Sequence, residues 1–328
     1  MVKIDDAIEG ALLLFSTSNS PSTERIYRVH LYQFKEYLID NKIIDIQQLD
    51  EGIFIDFYKW IQKEYIPQRL NNDKSPYSPA SIANVWCALR MFDKFLKEEF
   101  KTKSYTSKLK KPSWKPPEIK PFTKEEIEKL LKACMLSKPA NTANRKTFQM
   151  KKVAGRRNYF LLLVLLDTGL RAGEISRLNI NDYNQTTGEI RVRPFGTGKK
   201  TKPRTVYLGK TAKRAAWRYL AERKIEDTLH PDDPLFVTSD GRKRMTRNAI
   251  RLICNRIGEQ AGVEKVHPHR FRHTFAIEFL RNGGNMYILS EKLLGHSDLT
   301  ITKRYLHLVD DDAFNEHHKA SPADRWKL

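Results

Sequence analysis

Cysteine is nearly absent from this chain: there are three in 328 residues, Cys87, Cys134 and Cys254. They stand far apart and in no metal-ligand spacing. That argues against a disulfide framework or a zinc site and fits a reducing, cytoplasmic setting. Long apolar runs are missing too. The segment Ala11-Leu12-Leu13-Leu14-Phe15 is too short to span a bilayer, and acidic Asp5, Asp6 and Glu9 precede it where a secretory leader carries positive charge. No membrane partner is expected. No internal repeat is visible. What remains is a chain with 40% apolar residues and a mean hydropathy of −0.59, long enough for two domains with sizeable cores.

Positive charge is abundant and unevenly placed. The formal net charge is +20, yet residues 1–100 carry a net of −3, residues 101–122 a net of +6 and the remainder +17. An excess of this size on one part of a chain points to a polyanionic partner, and nucleic acid is the first candidate.

Residues 1–100 read as a small all-α domain. Helices are expected over 22–40, with Ile26, Val29, Tyr32 or Phe34, and Tyr37-Leu38 as the apolar stripe, over 50–65, and over 78–99. The last of these has Ile82, Val85-Trp86, Leu89, Phe92 and Phe95-Leu96 facing inward and carries Arg90, Lys94 and Lys97, which are candidate DNA contacts. Residues 101–122 hold four prolines and seven lysines. They read as an extended basic linker, a strap for a polyanion, with Lys110 and Lys111 as further candidate contacts. A second domain, 123–328, opens on the capping box Thr123-Lys124-Glu125-Glu126. In it, residues 137–157 read as a polar, basic surface loop and 159–166 as a buried helix. Residues 189–193 and 204–208 form a β-hairpin with a flexible tip at 196–202, and further helices fall near 211–224, 246–261, 269–283, 286–294 and 298–309. The fold class is therefore mainly α with a small antiparallel sheet (α+β).

Three segments of the second domain carry chemistry: Thr168-Gly169-Leu170-Arg171-Ala172-Gly173-Glu174, His269-Arg270-Phe271-Arg272-His273, and Leu294-Gly295-His296-Ser297-Asp298 followed by Tyr305. Taken singly, each residue has a bland reading: an arginine in a surface ion pair, a tyrosine in a core. Together they are the parts for attack on a phosphodiester. The transition state gathers negative charge on its non-bridging oxygens, and Arg171 and Arg272 supply always-charged forks to meet it. Tyr305 is a nucleophile that needs a proton acceptor or a positive field, which His269 and the arginines can provide. A lysine on the hairpin tip, among Lys199, Lys200 and Lys202, could protonate the leaving oxygen. A helix ending at Gly295 presents His296 beside the Tyr305 helix.

In this order the three segments resemble the tyrosine recombinases, the family of phage integrases and Xer-type recombinases. The resemblance covers roughly 123–310, and the N-terminal bundle resembles the family's helical, SAM-like core-binding domain more loosely. It implies that Arg171 and Arg272 bind the scissile phosphate and His296 hydrogen-bonds it. It further implies that His269 manages the tyrosine proton, Tyr305 forms a 3′-phosphotyrosyl link, Lys199 is the hairpin lysine, and Glu174 supports the site. No metal, ATP or other cofactor is expected. The implied partner is double-stranded DNA bearing a short inverted-repeat core site, recombined in the nucleoid by a homotetramer, with accessory proteins where the system uses them. No separate module is expected ahead of residue 20. The tail after Asp310 would dock on a neighbouring protomer through Phe314 and Trp326. Two other readings remain at this point: a type IB topoisomerase-like relaxing enzyme, and a catalytically silent DNA-binding regulator.

Overall fold

The computed structural model describes residues 2–18, 21–68, 73–115, 118–136, 140–142, 145–148, 154–194, 203–226, 228–241, 243–295, 305 and 321–323. The chain divides into two compact units, with the break after Pro117.

Among its described residues the N-terminal unit has four α-helices, α1 (Ile4–Ser18), α2 (Pro21–Asp40), α3 (Glu51–Lys63) and α4 (Pro79–Phe100), packed as a bundle. The last two begin where short polar side chains cap them. Asp50 accepts from the Ile53 amide and Ser78 from the Ser81 amide, and Pro79 occupies the first turn of α4. The core is aromatic: Phe34 packs against Phe54 and Phe57, each with ring centroids 4.8 Å apart.

Two features depart from the sequence reading. The first is α1, which that reading did not assign; Ile4, Ile8, Leu12 and Phe15 recur at helical spacing and are all buried. The second is the face of α2. Leu31, Phe34 and Leu38 point inward, while Ile26, Val29 and Tyr32 are exposed. The inward face also takes in two polar residues. His30 Nδ1 meets Gln33 Oε1 at 3.0 Å, and the Gln33 amide donates to the Tyr65 and Tyr77 hydroxyls at 3.0 and 2.8 Å. Those partners satisfy the groups, so their burial is tolerated and the apolar stripe shifts round the helix.

The basic stretch expected as an extended strap has no helix or strand among its described residues, but its first part is tied down. The buried Asp93 carboxylate of α4 accepts from the Ser104 hydroxyl (2.8 Å), the Tyr105 amide (2.8 Å) and the Thr106 hydroxyl (2.6 Å). The Trp86 indole then donates to the Leu109 carbonyl at 2.9 Å, and Tyr58 donates to that of Lys110 at 3.2 Å. Thr106 and Leu109 are buried. Composition hid this because the anchors are Ser, Thr and Tyr set between the lysines.

The second unit contains α5 (Lys124–Met135), β1 (Ala140–Thr142), β2 (Arg145–Phe148), α6 (Gly155–Thr168), α7 (Ala172–Ile175), β3 (Glu189–Val192), β4 (Arg204–Tyr207), α8 (Lys210–Glu226), α9 (Arg247–Ala261) and α10 (Pro268–Arg281). A π-helical segment, Ile288–Leu294, comes after α10. Helix α6 is the centre of the unit. Residues 160–165 are buried without interruption, and α5, α8 and α10 pack around them. A helical stretch buried on all sides reads as apolar all round, as residues 160–165 do.

Strands β3 and β4 pair antiparallel, Glu189 opposite Tyr207 and Val192 opposite Arg204. Part of the expected surface loop is a second short antiparallel pair, β1 with β2. Ala-Asn-Thr and Arg-Lys-Thr-Phe show no apolar alternation, so the pairing left no period-two signal to read. The hairpin tip at 196–202, all but Tyr305 of the expected helix at 298–309, and Phe314 and Trp326 lie outside the described residues.

Candidate active site

The site is built from the end of α6. Gly169 has φ +60, a left-handed conformation that closes the helix, with its amide donating to the Leu165 carbonyl. An added Cβ would stand 2.5 Å from Phe275 Cδ1, so glycine is required by space as well as by backbone. The chain then turns through buried Leu170 to Arg171, the N-cap of the short α7.

Glu174, on α7, organises the arginines around it. It is almost fully buried, and both carboxylate oxygens are doubly occupied. Oε2 accepts from the Arg171 amide (2.8 Å) and Arg204 Nη2 (2.8 Å), and Oε1 from Arg171 Nη1 (3.1 Å) and Arg204 Nη1 (2.9 Å). Burial alone would raise its pKa, but the Arg204 fork, backed by Arg171, holds it below the ordinary carboxylate value. Arg204, at the start of β4, is as buried as its partner and uses its remaining Nε to reach the Leu293 carbonyl at 2.7 Å. Arg171, by contrast, keeps 34% of its side chain exposed.

Arg272, on α10, ties the segments together. Its Nη1 donates to the Gly169 carbonyl (2.7 Å) and its Nη2 to the Leu294 carbonyl (2.9 Å). Burial first, and then Arg171, pushes its pKa down to about 9, so it stays charged at neutral pH. With three guanidinium groups around one carboxylate, the cluster keeps two net positive charges, as an anion site requires.

His269, one turn before Arg272, reaches solvent. Its pKa lies below the ordinary value, through the protein atoms packed against it first and then through Arg272, His267, Arg171 and Arg247. A neutral imidazole is the form that can take a proton. Tyr305 is buried among Ala276, Ile277, Leu280, Leu289 and Leu294. Its hydroxyl lies 2.9 Å from His273 Nδ1. The turn within the third segment is shaped by Gly295, which caps the π-helical segment at φ +61.

The structure thus brings Arg171, Glu174 and Arg272 together and sets Tyr305 against α10, which also carries His269. Lys199, Lys200, Lys202 and His296 lie outside the described residues. Arg90, Lys94, Lys97, Lys110 and Lys111 are exposed on the N-terminal unit. There, Arg90 and Lys111 lie over the Trp86 ring at 5.3 and 5.7 Å, and Lys94 is 3.6 Å from Glu98. Sequence reasoning missed Arg204 and His273. His273 stands four residues after His269, on the same helical face, which was a usable signal; Arg204 gave none. Arg270 has a structural role, donating to Glu126 and to the Lys120, Pro121 and Glu264 carbonyls. Among the described residues no group of histidine, cysteine and carboxylate side chains could hold a metal, and no helix is long and apolar enough to cross a membrane.

The mostly helical second unit, with its small antiparallel hairpin and arginine-rich cluster, is similar to known DNA recombinases. Residues 120–311 match the phage integrase family. The chain is 27% identical to tyrosine recombinase XerD of Listeria innocua over 96% of its own length and 98% of the relative's. It is 30% identical to XerD of Staphylococcus epidermidis over 88% of each. Among solved structures, the Tn1549 transposon integrase in complex with a circular intermediate DNA shares the fold with a TM-score of 0.68 at 18% identity, covering 98% of this chain and 100% of that one. XerH site-specific recombinase bound to a palindromic difH substrate does so at 0.65 and 22%, covering 93% and 80%. The chain belongs to the phage integrase family, as a site-specific tyrosine recombinase of the Xer type.

Proposed function

We propose that the protein exchanges DNA strands with Tyr305 as nucleophile, by two balanced transesterifications that need neither metal nor ATP. In the first, the Tyr305 oxygen bonds to the scissile phosphorus, the bond from phosphorus to the 5′ oxygen breaks, and the 5′ oxygen leaves as a hydroxyl. His269 takes the tyrosine proton and Lys199 supplies the one the leaving group needs. In the second, a 5′-hydroxyl from a partner duplex attacks the 3′-phosphotyrosine and releases Tyr305. One phosphoester replaces another at each step, so the bond energy is kept in the protein–DNA link.

The observation that carries this reading is the pair of bonds from Arg272 to the Gly169 and Leu294 carbonyls. They join segments more than a hundred residues apart into one cationic site on the helix that also contacts Tyr305. Arg171 and Arg272 then bind the phosphate, His296 adds a hydrogen bond, and Glu174 supports the arginines. The N-terminal unit, through Arg90, Lys94, Lys97, Lys110 and Lys111, and the hairpin residues Lys200 and Lys202 grip the duplex backbone. A short inverted-repeat site, a tetrameric synapse and action in the cytoplasm at the nucleoid complete the proposal.

The test is incubation of wild type and Tyr305→Phe with supercoiled DNA from the gene's own genomic surroundings, in EDTA, followed by denaturing gels and sequencing of trapped ends. A covalent 3′ adduct lost in the variant, with joints between two DNA molecules, is the expected result. An adduct with same-strand resealing only makes the protein a topoisomerase. DNA binding with no adduct from wild type overturns the proposal in favour of a binding regulator.

A further inference from the structure

Arg204, which has no part in the strand-exchange scheme, shares a carboxylate partner with Arg171; the role inferred for it rests on that functional reading. One buried carboxylate accepts hydrogen bonds from two of the three guanidinium groups near it. Glu174 Oε1 is shared between Arg171 Nη1 at 3.1 Å and Arg204 Nη1 at 2.9 Å, while Oε2 gives Arg204 a second bond at 2.8 Å. Arg204 therefore makes the fork on the carboxylate, and Arg171 holds it by one side-chain bond. The exposures divide the same way. The Arg204 and Glu174 side chains are 3% and 1% exposed, and that of Arg171 is 34% exposed.

A buried carboxylate needs one full counter-charge. Arg204 supplies it, so the positive charge of Arg171 stays available to an external anion. Without Arg204, Arg171 would be the guanidinium left bonded to Glu174, and the carboxylate would compete with the phosphate for its charge. Arg204 also has a mechanical reach. Its Nε donates to the Leu293 carbonyl at 2.7 Å, next to the Leu294 carbonyl that Arg272 holds. Its guanidinium also stands against Gly295, where an added Cβ would meet Nη1 at 3.2 Å.

We propose that Arg204 is a positioning residue that neutralises Glu174, so leaving Arg171 charged for the scissile phosphate, and that fixes the turn at 293–295. It touches no DNA in this role.

The test is single-turnover formation of the Tyr305 adduct on duplexes carrying the site mapped by end sequencing. One duplex has the ordinary phosphodiester and a second has a methylphosphonate at the scissile position. The methylphosphonate lacks one anionic oxygen, so its transition state asks less of Arg171. Wild type, Arg204→Gln, Arg204→Lys and Arg204→Gln/Glu174→Gln are compared, with thermal melts and DNA binding recorded for each.

Arg204→Gln is expected to slow cleavage of the phosphodiester by about tenfold to a hundredfold, below the loss seen when a direct transition-state donor is removed. Its deficit relative to wild type should shrink on the methylphosphonate. Adding Glu174→Gln removes the carboxylate and is expected to restore part of the phosphodiester rate. Arg204→Lys keeps the charge but not the fork, so its ratio between the two substrates should stay near that of wild type. Equal deficits on both substrates, with no recovery in the double variant, would mean that Arg204 serves the fold alone and would overturn the proposal. A wild type that forms no adduct on the phosphodiester overturns the functional reading and this inference with it.

Discussion

Replacing Gly169 with alanine puts a number on how tightly the site is assembled. The residue sits at φ +60, where a β-carbon costs about 1–2 kcal/mol through its clash with the following carbonyl. The new methyl would also stand 2.5 Å from Phe275 Cδ1 and 3.0 Å from Leu294 Cδ2. Overpacking of that kind adds about 1–3 kcal/mol, for a total of about 2–5 kcal/mol. Gly262→Ala is the control: φ is +66 there and nothing lies within 4 Å of the added carbon, so only the backbone cost of about 1–2 kcal/mol applies. The assay is urea unfolding of the full chain, with the transition of the second unit assigned by hydrogen exchange. The Gly169 carbonyl is an Arg272 acceptor at 2.7 Å, so adduct formation should fall in Gly169→Ala and hold in Gly262→Ala. Equal destabilisation by the two substitutions would refute the packing argument.

Two further outcomes are expected. The His269 pKa is depressed below 6.5, so the neutral ring persists as pH falls; the acid-side loss of single-turnover cleavage should come below that pH, and Arg247→Gln, which removes one neighbouring charge, should move it upward. A wild-type limb above pH 7, or a downward shift in the variant, would remove His269 as the base. Asp93→Ala leaves the Ser104 and Thr106 hydroxyls and the Tyr105 amide without their acceptor, which should cost the N-terminal unit about 2–4 kcal/mol and expose the Tyr105 amide to exchange. Unchanged exchange at Tyr105 would show that the anchor is not what holds the segment.

How much of the fold and site was readable from the sequence depends on where the information sits. Capping residues are local, so Asp50, Ser78 and Thr123 place their helices to within a residue or two. The motif segments are equally local, and Arg171, Glu174 and Arg272 do come together. Ile26, Val29 and Tyr32 misled because an exposed apolar residue is ordinary, whereas a buried His30 or Gln33 is acceptable only once Tyr65 and Tyr77 are in place. The strapped-down segment at 104–110 depended on contacts that spacing does not announce: the Asp93 carboxylate for 104–106, and Trp86 and Tyr58 for 109 and 110. Arg204 was invisible for the same reason: it is one arginine among many in a basic chain until Glu174 is seen in front of it.

The two buried arginines hold the 293–295 turn through main-chain oxygens: Arg204 through Leu293, Arg272 through Leu294. A carbonyl acceptor is present whatever the side chain, so the turn places few chemical demands on the residues that form it. Aliphatic exchange at Leu293 or Leu294 leaves both acceptors where they are, provided the bulk is kept. The precision of the site is therefore stored in a few guanidinium groups and the glycines beside them, and the aliphatic residues of the turn answer for bulk alone.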